Sequence, residues 1–151
     1  MPEVLFYQLE RRPLAVVLPG LLQISLARGW RVVVKVGSAE RLEALNAELW
    51  SFDEASFLPH GSVADGNAEQ QPIWLTVGDD NPNAATVRFL IDGAEAPSFT
   101  GFDRTVFLFE GNSPENTAAA RAAWRAAKTE GCEVTFWQQD ENGRWQKQGA
   151  E

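Results

Sequence analysis

The sequence predicts a three-layer α/β/α fold with a mainly parallel central sheet, built as a single domain over residues 1–151. The first fifty residues alternate strand-like and helix-like patterns twice, and this β-α-β-α order is typical of a parallel sheet with right-handed crossovers. The length suits one domain, and the 44% of hydrophobic residues can bury a core without disulfides or metals.

Each of the first four elements has its own pattern. Residues 4–9 are a short apolar run, which is typical of a buried strand. Apolar residues then recur at helical spacing over 14–22, and Pro19 within this run is expected to bend or restart the helix because it removes a backbone hydrogen bond. Residues 30–36 have strong β character, and a second helix with a serine N-cap follows over 38–50.

The second half of the chain contains more strand patterns and one well-defined helix. Ser113 is a favourable N-cap, Pro114 suits the first helical position, and the alanine-rich run after them has high helix propensity. The polar, glycine-containing segment 60–71 is typical of a mobile loop. The remaining elements are strands expected at 56–58, 73–77, 86–91, 105–109 and 133–137, and a hairpin arm at 144–146.

Composition and charge exclude several classes of protein. A formal charge of −8 argues against a general nucleic-acid binder and against strong direct DNA binding. A single cysteine, Cys132, and a single histidine, His60, form neither an internal disulfide nor an ordinary zinc site, so we expect no metal and no cofactor. The first residues lack a signal-peptide pattern and no long apolar run occurs, so we expect a soluble, cytoplasmic protein that does not bind membranes.

Familiar catalytic motifs are missing from the sequence. It contains no G-x-x-x-x-G-K-[ST] phosphate loop, no G-x-S-x-G elbow and no G-x-G-x-x-G after the first strand. The first strand-to-helix connection, residues 8–12, has no glycine that would let backbone amides approach a phosphate. We therefore expect a Rossmann-like topology without a dinucleotide fingerprint. A small nucleotide-binding α/β enzyme is the alternative function, on fold analogy alone.

The reactive side chains that remain have simpler structural interpretations. His60 follows a proline at the start of a loop and is expected to be structural or exposed to solvent rather than a catalytic base. Cys132 follows a helix-ending glycine and is expected to be a small buried apolar residue. The acidic pairs at 79–80 and 140–141 adjoin turn residues, so turn formation and solvation are the favoured interpretation for both.

One helix face near the C-terminus carries a distinctive pattern. Arg121, Trp124, Arg125 and Lys128 fall at i, i+3, i+4 and i+7 and therefore share one side of the helix. Arginine forks bind carboxylates and the indole offers apolar area, which suits a peptide with acidic and aromatic or proline residues. An ordinary solvated face with the tryptophan tucked under its neighbours fits the spacing equally well. The opposite face is expected to press close to the sheet through the alanines at 119, 122, 123 and 126.

Several segments, in the same order, resemble those of a known family. They include Leu49-Trp50, the run Ser56-Phe57-Leu58-Pro59-His60, the helix with Ala120-Arg121 and Trp124, and the run Thr135-Phe136-Trp137-Gln138-Gln139-Asp140. Along nearly its whole length the chain is similar to the chi subunit of bacterial DNA polymerase III, an accessory protein of the clamp loader. The Leu-Trp, Ser-Phe-Leu-Pro-His and Phe-Trp-Gln-Gln-Asp segments in this order are the most specific part of the resemblance.

The resemblance implies an accessory role in DNA replication, as a subunit of a DNA polymerase complex with no catalytic activity of its own. Proteins of this family bind the acidic C-terminal tail of single-stranded DNA-binding protein and also the psi subunit of the clamp loader. The residues that match the tail pocket are Arg121, Trp124 and Arg125, with Trp50 and Phe57 as its opposite wall. Trp124 stands where some relatives have tyrosine. Lys128 joins the predicted pocket from helical spacing.

Overall fold

The computed structural model describes residues 2–9, 14–51, 60–62, 67–91, 93–96, 98–99, 101–139 and 145–148. Strands and helices alternate over the first fifty residues, as the sequence predicts. In chain order they are β1 (Glu3–Leu9), α1 (Leu14–Ala27), β2 (Val32–Val36), α2 (Ala39–Ser51), β3 (His60–Gly61), a short 3-10 helix (Ala68–Gln70), β4 (Ile73–Thr76), β5 (Val87–Ile91), β6 (Arg104–Glu110), α3 (Pro114–Thr129), β7 (Glu133–Gln139) and β8 (Trp145–Gln148).

The strands form one sheet in the order β3-β4-β2-β5-β6-β1-β7-β8. All of the neighbouring strands run parallel except β7 and β8, which pair antiparallel from Gln139 opposite Trp145. β1 lies near the centre, with β6 on one side and β7 on the other. The mainly parallel sheet and the C-terminal hairpin arm are therefore confirmed.

The helices cover opposite faces of this sheet. Successive side chains of a strand point to opposite faces, and alternate residues of the central strands accordingly join two different cores. Val34 belongs to the core under α1 and α2, which also contains Leu18 and Leu45. Phe6 and Phe107 belong to the core under α3. This arrangement confirms three layers, with α1 and α2 on one face and α3 on the other.

The first helix is continuous through its internal proline. α1 runs from Leu14 to Ala27 with Pro19 inside it, so the helix does not restart there. Leu18 and Leu22 are fully buried on either side of Pro19, and their packing holds both halves of the helix on the sheet. α1 ends at Ala27, just before Gly29, whose positive φ of 80° is adopted by glycine without steric cost.

The segment expected to be a mobile loop is ordered at both of its ends. His60 and Gly61 form β3, which pairs parallel with β4, and Ala68–Gln70 form the 3-10 helix. His60 is only 3% exposed, so its interpretation as structural fits and an exposed position does not. The loop expectation was wrong here because strand pairing overrides local composition. The strand expected at 56–58 lies outside the described residues. No helix in the described part of the chain is long and apolar enough to cross a membrane.

Candidate functional site

The third helix begins where the sequence predicts. Ser113 has extended backbone geometry, and its hydroxyl accepts a hydrogen bond from the backbone N–H of Asn116 at 3.3 Å. Pro114 occupies the first turn with Glu115, whose negative charge is favourable near the helix N-terminus. The helix is fixed at its other end by Glu130, whose carboxylate accepts from the Ser98 hydroxyl at 2.7 Å and the Phe99 N–H at 3.1 Å. Both ends of α3 are thus held.

A stripe of three cations runs along the exposed side of this helix. Arg121, Arg125 and Lys128 are all exposed and lie at i, i+4 and i+7. We call these three residues the basic stripe. None of them forms an ion pair with the residues that the structure describes. In a chain with a formal charge of −8, this makes the stripe a local region of uncompensated positive charge.

Trp124 lies between the basic stripe and the sheet and is half-buried. Its ring centroid is 5.5 Å from that of Phe6 in β1 and 6.0 Å from that of Phe136 in β7. The Lys128 ammonium lies 5.2 Å from the same indole ring, within cation–π range. The interpretation of a tryptophan tucked under its neighbours is therefore correct in part, while one face of the indole adjoins the Lys128 ammonium.

The alanines that face the sheet agree only in part with those that the sequence predicted, because Ala119 and Ala123 pack against the core under α3 whereas Ala122 and Ala126 do not. Ala120 and Ala127 are buried, whereas Ala122 and Ala126 are exposed. At about 100° per residue, Ala120, Trp124 and Ala127 point in nearly one direction. Trp124 therefore belongs to the sheet-facing side, and the predicted packing face was displaced by roughly one residue. The exposed alanines line a groove of about 200 Å³ on the flank of α3 opposite to the basic stripe.

Of the other two predicted pocket residues, the structure describes only the backbone of Trp50. Trp50 lies near the end of α2, but its side chain is outside the described part of the structure, and so is the whole of Phe57. α2 packs on the face opposite to α3, over β2 and β4, whereas α3 contacts β6 and β7. Two strand spacings, about 10 Å, separate β2 from β6. The described geometry does not bring α2 and α3 together.

At the crevice that commonly binds ligands in open α/β sheets, the described residues leave little space. It lies beyond the carboxyl ends of β1 and β6, from which the chain passes to helices on opposite faces. The described residues around it, which include Leu9, Leu14 and Asn116, leave a cavity of only about 10 Å³. A nucleotide does not fit into such a space, so these residues give the nucleotide-binding alternative no support.

The single cysteine and histidine are far apart in the sheet. Cys132 is half-buried and immediately precedes β7, whereas His60 belongs to β3 at the opposite edge. Burial and the nearby Glu130 carboxylate raise the pKa of the Cys132 thiol, which reduces its thiolate fraction near neutral pH. The two residues therefore do not form a Cys–His pair, in agreement with their structural interpretation.

The acidic pair at 79–80 has structural partners, and for Asp79 the partner lies on another strand and not in the expected turn. Asp79 forms an ion pair with Lys35 at 2.6 Å. Asp80 accepts hydrogen bonds from the Trp74 indole N–H at 2.8 Å and from the Thr76 hydroxyl at 2.5 Å. The pair at 140–141 lies outside the described residues. Among the side chains that the structure describes, no group of three histidines, cysteines or acids is placed to hold a metal ion.

Sequence patterns did not identify a further cavity that described residues line. It measures about 490 Å³ and lies between α2 and the outer edge of β4, where Val77 is exposed. Its residues are far apart along the chain and share no motif.

Comparison with known proteins identifies the family of this chain. The model of the family described as DNA polymerase III chi subunit, HolC, matches residues 1–135, which include α3 and the basic stripe. A curated relative from Rickettsia prowazekii (strain Madrid E), named "Probable DNA polymerase III subunit chi", is 36% identical over 71 residues. This alignment covers 47% of the chain and 43% of the relative. The chain therefore belongs to the DNA polymerase III chi subunit family.

Proposed function

We propose that this chain is an accessory subunit of the DNA polymerase III holoenzyme and links the clamp loader to single-stranded DNA-binding protein. In this proposal the link uses the psi subunit on one side and the acidic C-terminal tail of single-stranded DNA-binding protein on the other. Family membership supports the role in the polymerase complex. The chain works in the cytoplasm, where DNA replication takes place, and has no catalytic activity of its own.

The single observation that carries the tail contact is the basic stripe beside Trp124. The guanidinium groups of Arg121 and Arg125 are exposed and have no carboxylate partner among the described residues. Arginine binds carboxylates through two parallel hydrogen bonds, which suits this tail, an acidic peptide that ends in proline and phenylalanine. The accessible part of the Trp124 indole gives an apolar surface for a terminal proline and phenylalanine.

The expected affinity is moderate. Burial of one phenylalanine side chain contributes about 1.5–3 kcal/mol. Each charge-assisted hydrogen bond contributes about 1.5–3 kcal/mol before the cost of ordering a flexible tail is subtracted. These contributions lead to a dissociation constant on the order of 1 μM, which corresponds to about −8 kcal/mol. A contact of this strength can form and dissociate repeatedly while a replication fork advances.

Trp50 and Phe57 remain a proposed second contact for the tail. Because α2 and α3 cover opposite faces of the sheet, one short tail that touches both would have to pass around the end of the sheet. Separate substitutions distinguish the two regions. If Trp50→Ala and Phe57→Ala leave the tail affinity unchanged while Arg121→Ala lowers it, the site consists of the α3 surface alone.

The tail contact can be tested by titration calorimetry with a synthetic acidic peptide that ends in Pro-Phe. We expect Arg121→Ala to weaken binding about tenfold or more, since it removes a forked donor to a carboxylate. Arg41→Ala is a matched control, because Arg41 is an exposed arginine on α2, on the opposite face of the sheet. Equal affinities of the wild type and Arg121→Ala would refute the assignment.

The psi contact is a separate proposal, and no described surface is assigned to it. Its test is gel filtration of the chain with the psi subunit of the same organism, followed by addition of the clamp loader. Co-elution of all three, dependent on psi, is the expected result. Elution of the chain with the clamp loader in the absence of psi would contradict the proposed order of contacts.

A further inference from the structure

A cavity of about 190 Å³ lies under the C-terminal end of α1. Its floor contains Val87, from the first position of β5, and its mouth contains Arg104, from the first position of β6. The cavity is therefore at the amino ends of the central strands. The crevice beyond the carboxyl ends of β1 and β6 is at the opposite end of the sheet.

The floor of this cavity is apolar. It is formed by the side chains of Leu5, Val87, Phe89 and Val106, each of which is at most 9% exposed. The Ser25 hydroxyl also lines the cavity, but it already donates a hydrogen bond to the carbonyl oxygen of Leu21 at 3.0 Å. An apolar cavity of about 150 Å³ can bind benzene. The floor therefore accommodates an apolar group of about the size of one phenyl ring.

Two arginines stand at the mouth of the cavity, on either side of its sequence. Arg28 follows α1 and Arg104 begins β6, and both line the cavity together with Trp30. The guanidinium carbon of Arg28 lies 5.0 Å from the centroid of the Trp30 ring, and that of Arg104 lies 4.8 Å from it. These cation–π contacts hold both guanidinium groups beside the opening.

The charge of the two arginines is only partly compensated. The Nε of Arg104 forms an ion pair with the Glu3 carboxylate at 2.9 Å, whereas Arg28 forms no ion pair with the residues that the structure describes. The Arg28 side chain is also not needed as a helix cap, because backbone N–H groups of residues 28–30 already donate to the last carbonyls of α1. Two cations and one carboxylate leave one positive charge at the mouth, in a chain with a formal charge of −8.

The half-buried Tyr7 adds a hydrogen-bond donor to the lining. Burial raises the pKa of its phenol, although the nearby Arg104 and Arg28 guanidinium groups act in the opposite direction. The hydroxyl is therefore protonated at neutral pH and can donate to an anion.

We propose that this cavity binds a carboxylate that carries one apolar group of about the size of a phenyl ring, on a free acid or on the last residue of a protein chain. The apolar group fills the floor, and the carboxylate accepts hydrogen bonds from Arg28 and Arg104. Ile24 also lines the cavity and is 52% exposed, so it extends the apolar contact outward from the mouth.

This site is distinct from the basic stripe. Its floor residues Val87, Phe89 and Val106 belong to the core under α1 and α2, whereas the basic stripe lies on α3, which covers the other face of the sheet. The inference does not depend on the proposed function, because it involves none of the residues of the tail contact.

The proposal can be tested by NMR titration of the ¹⁵N-labelled full chain with 3-phenylpropionate. We expect saturable binding with a dissociation constant on the order of 1 mM, and the largest shifts at the Trp30 indole N–H and at the amides of Leu5 and Val106. The amide of this acid lacks the charge and propionate lacks the ring, so each should bind at least about fivefold more weakly. Absence of saturable binding of 3-phenylpropionate, or equal binding of its amide, would overturn the proposal.

Two peptides distinguish the possible sources of the carboxylate. If Ac-Gly-Gly-Phe-OH binds at least as tightly as 3-phenylpropionate, the site accepts the end of a protein chain. If 3-phenylpropionate binds and this peptide does not, the ligand is a free acid. Both results support the site. Binding of Ac-Gly-Gly-Phe-NH₂ as tight as that of the peptide acid would contradict the role of the carboxylate.

Two pairs of matched variants locate the contact. Arg28→Gln should weaken binding of 3-phenylpropionate about fivefold, and Arg41→Gln, at an exposed arginine on α2 outside the cavity, should change it less than about twofold. Ile24→Glu should weaken it about tenfold by repulsion, while Val77→Glu, at another exposed aliphatic residue outside the cavity, serves as its control. Equal effects of the variants and their controls would overturn the proposal.

Discussion

The centroid of the Trp124 indole ring lies 5.5 Å from the centroid of the Phe6 phenyl ring, and the interplanar angle is 54°. This contact joins the proposed binding residue to a fully buried side chain of the central strand β1. Trp124 is therefore both a support of the α3 core and a neighbour of the basic stripe. A substitution that removes the indole is therefore expected to change both the stability of the protein and its affinity for a ligand. Variants at this position need separate measurements of stability and of binding.

Replacement of Trp124 by alanine should destabilise the protein. The change removes contacts with Phe6 and Phe136 and leaves a space under α3. Because the side chain is half-buried, we expect a loss of about 2–3 kcal/mol in the free energy of unfolding, at the low end for large-to-small changes in cores. Urea denaturation measures it. Trp124→Tyr keeps an aromatic ring and should lose less than about 1.5 kcal/mol, and an equal loss in both variants would contradict the packing role.

Binding of the acidic tail peptide should depend strongly on the salt concentration and on the positive charge of the basic stripe. Arg125 is exposed and unpaired among the described residues, so its charge contributes to binding with little effect on folding. We expect Arg125→Glu to weaken binding about tenfold or more at low ionic strength. The difference from wild type should shrink as salt rises from about 0.05 to 0.5 M, because screening reduces charge interactions. Calorimetry at several salt concentrations measures this, and a difference that does not change with salt would argue against an ionic contact.

The sequence predicted most of the fold because its local patterns agree with the tertiary structure. The helix that begins at Ser113 and the strand over 32–36 have strong propensities, and the parallel order follows from their alternation. Features that depend on pairing between distant segments were harder to predict from the sequence. β3 is a two-residue strand whose identity comes from its pairing with β4. Arg88 lies in a predicted strand, but local patterns did not predict that it is buried. Its guanidinium carbon lies 4.7 Å from the centroid of the Phe102 ring, which belongs to a loop outside that strand.

The candidate site was predictable to the extent that it lies on one helix. Helical spacing placed Arg121, Arg125 and Lys128 on one exposed face, and the structure brings them together. The same spacing could not decide how α3 is rotated against the sheet, because Trp124 lies at the boundary between two faces. The indole packs toward the sheet because it contacts large aromatic side chains on β1 and β7. The handedness and length of each crossover decide which face of the sheet a helix covers. Residue spacing alone could therefore not predict whether Trp50 lies on the same side of the sheet as α3.

A buried asparagine should be important for stability. The Asn83 side chain is 1% exposed, and its amide nitrogen donates to the carbonyl oxygen of Gln71 at 2.8 Å and to that of Val32 at 3.2 Å. It thus connects the start of β2 with the segments before β4 and β5. We expect Asn83→Ala to lower the free energy of unfolding by about 1–3 kcal/mol, because it leaves buried carbonyls without donors. Urea denaturation measures this loss. Asn112→Ala, at an exposed turn, should change stability by less than about 0.5 kcal/mol, and equal effects would contradict the bridging role.

Acid should weaken the contribution of Asp80 to stability. Partial burial raises the pKa of its carboxyl group, but hydrogen bonds from the Thr76 hydroxyl and the Trp74 indole outweigh this and lower the pKa below the usual value for aspartate. A carboxyl group whose pKa is lower in the folded state stabilises the protein above its unfolded pKa, and this contribution disappears as the pH falls through the folded pKa. The wild type should therefore melt at a higher temperature than Asp80→Asn at pH 7, and the difference should narrow below about pH 4. Thermal unfolding of both proteins between about pH 7 and pH 3 measures this, with Asp103→Asn as a control at an exposed carboxylate. A difference that stays constant over this range would show that ionisation of Asp80 does not contribute to folding.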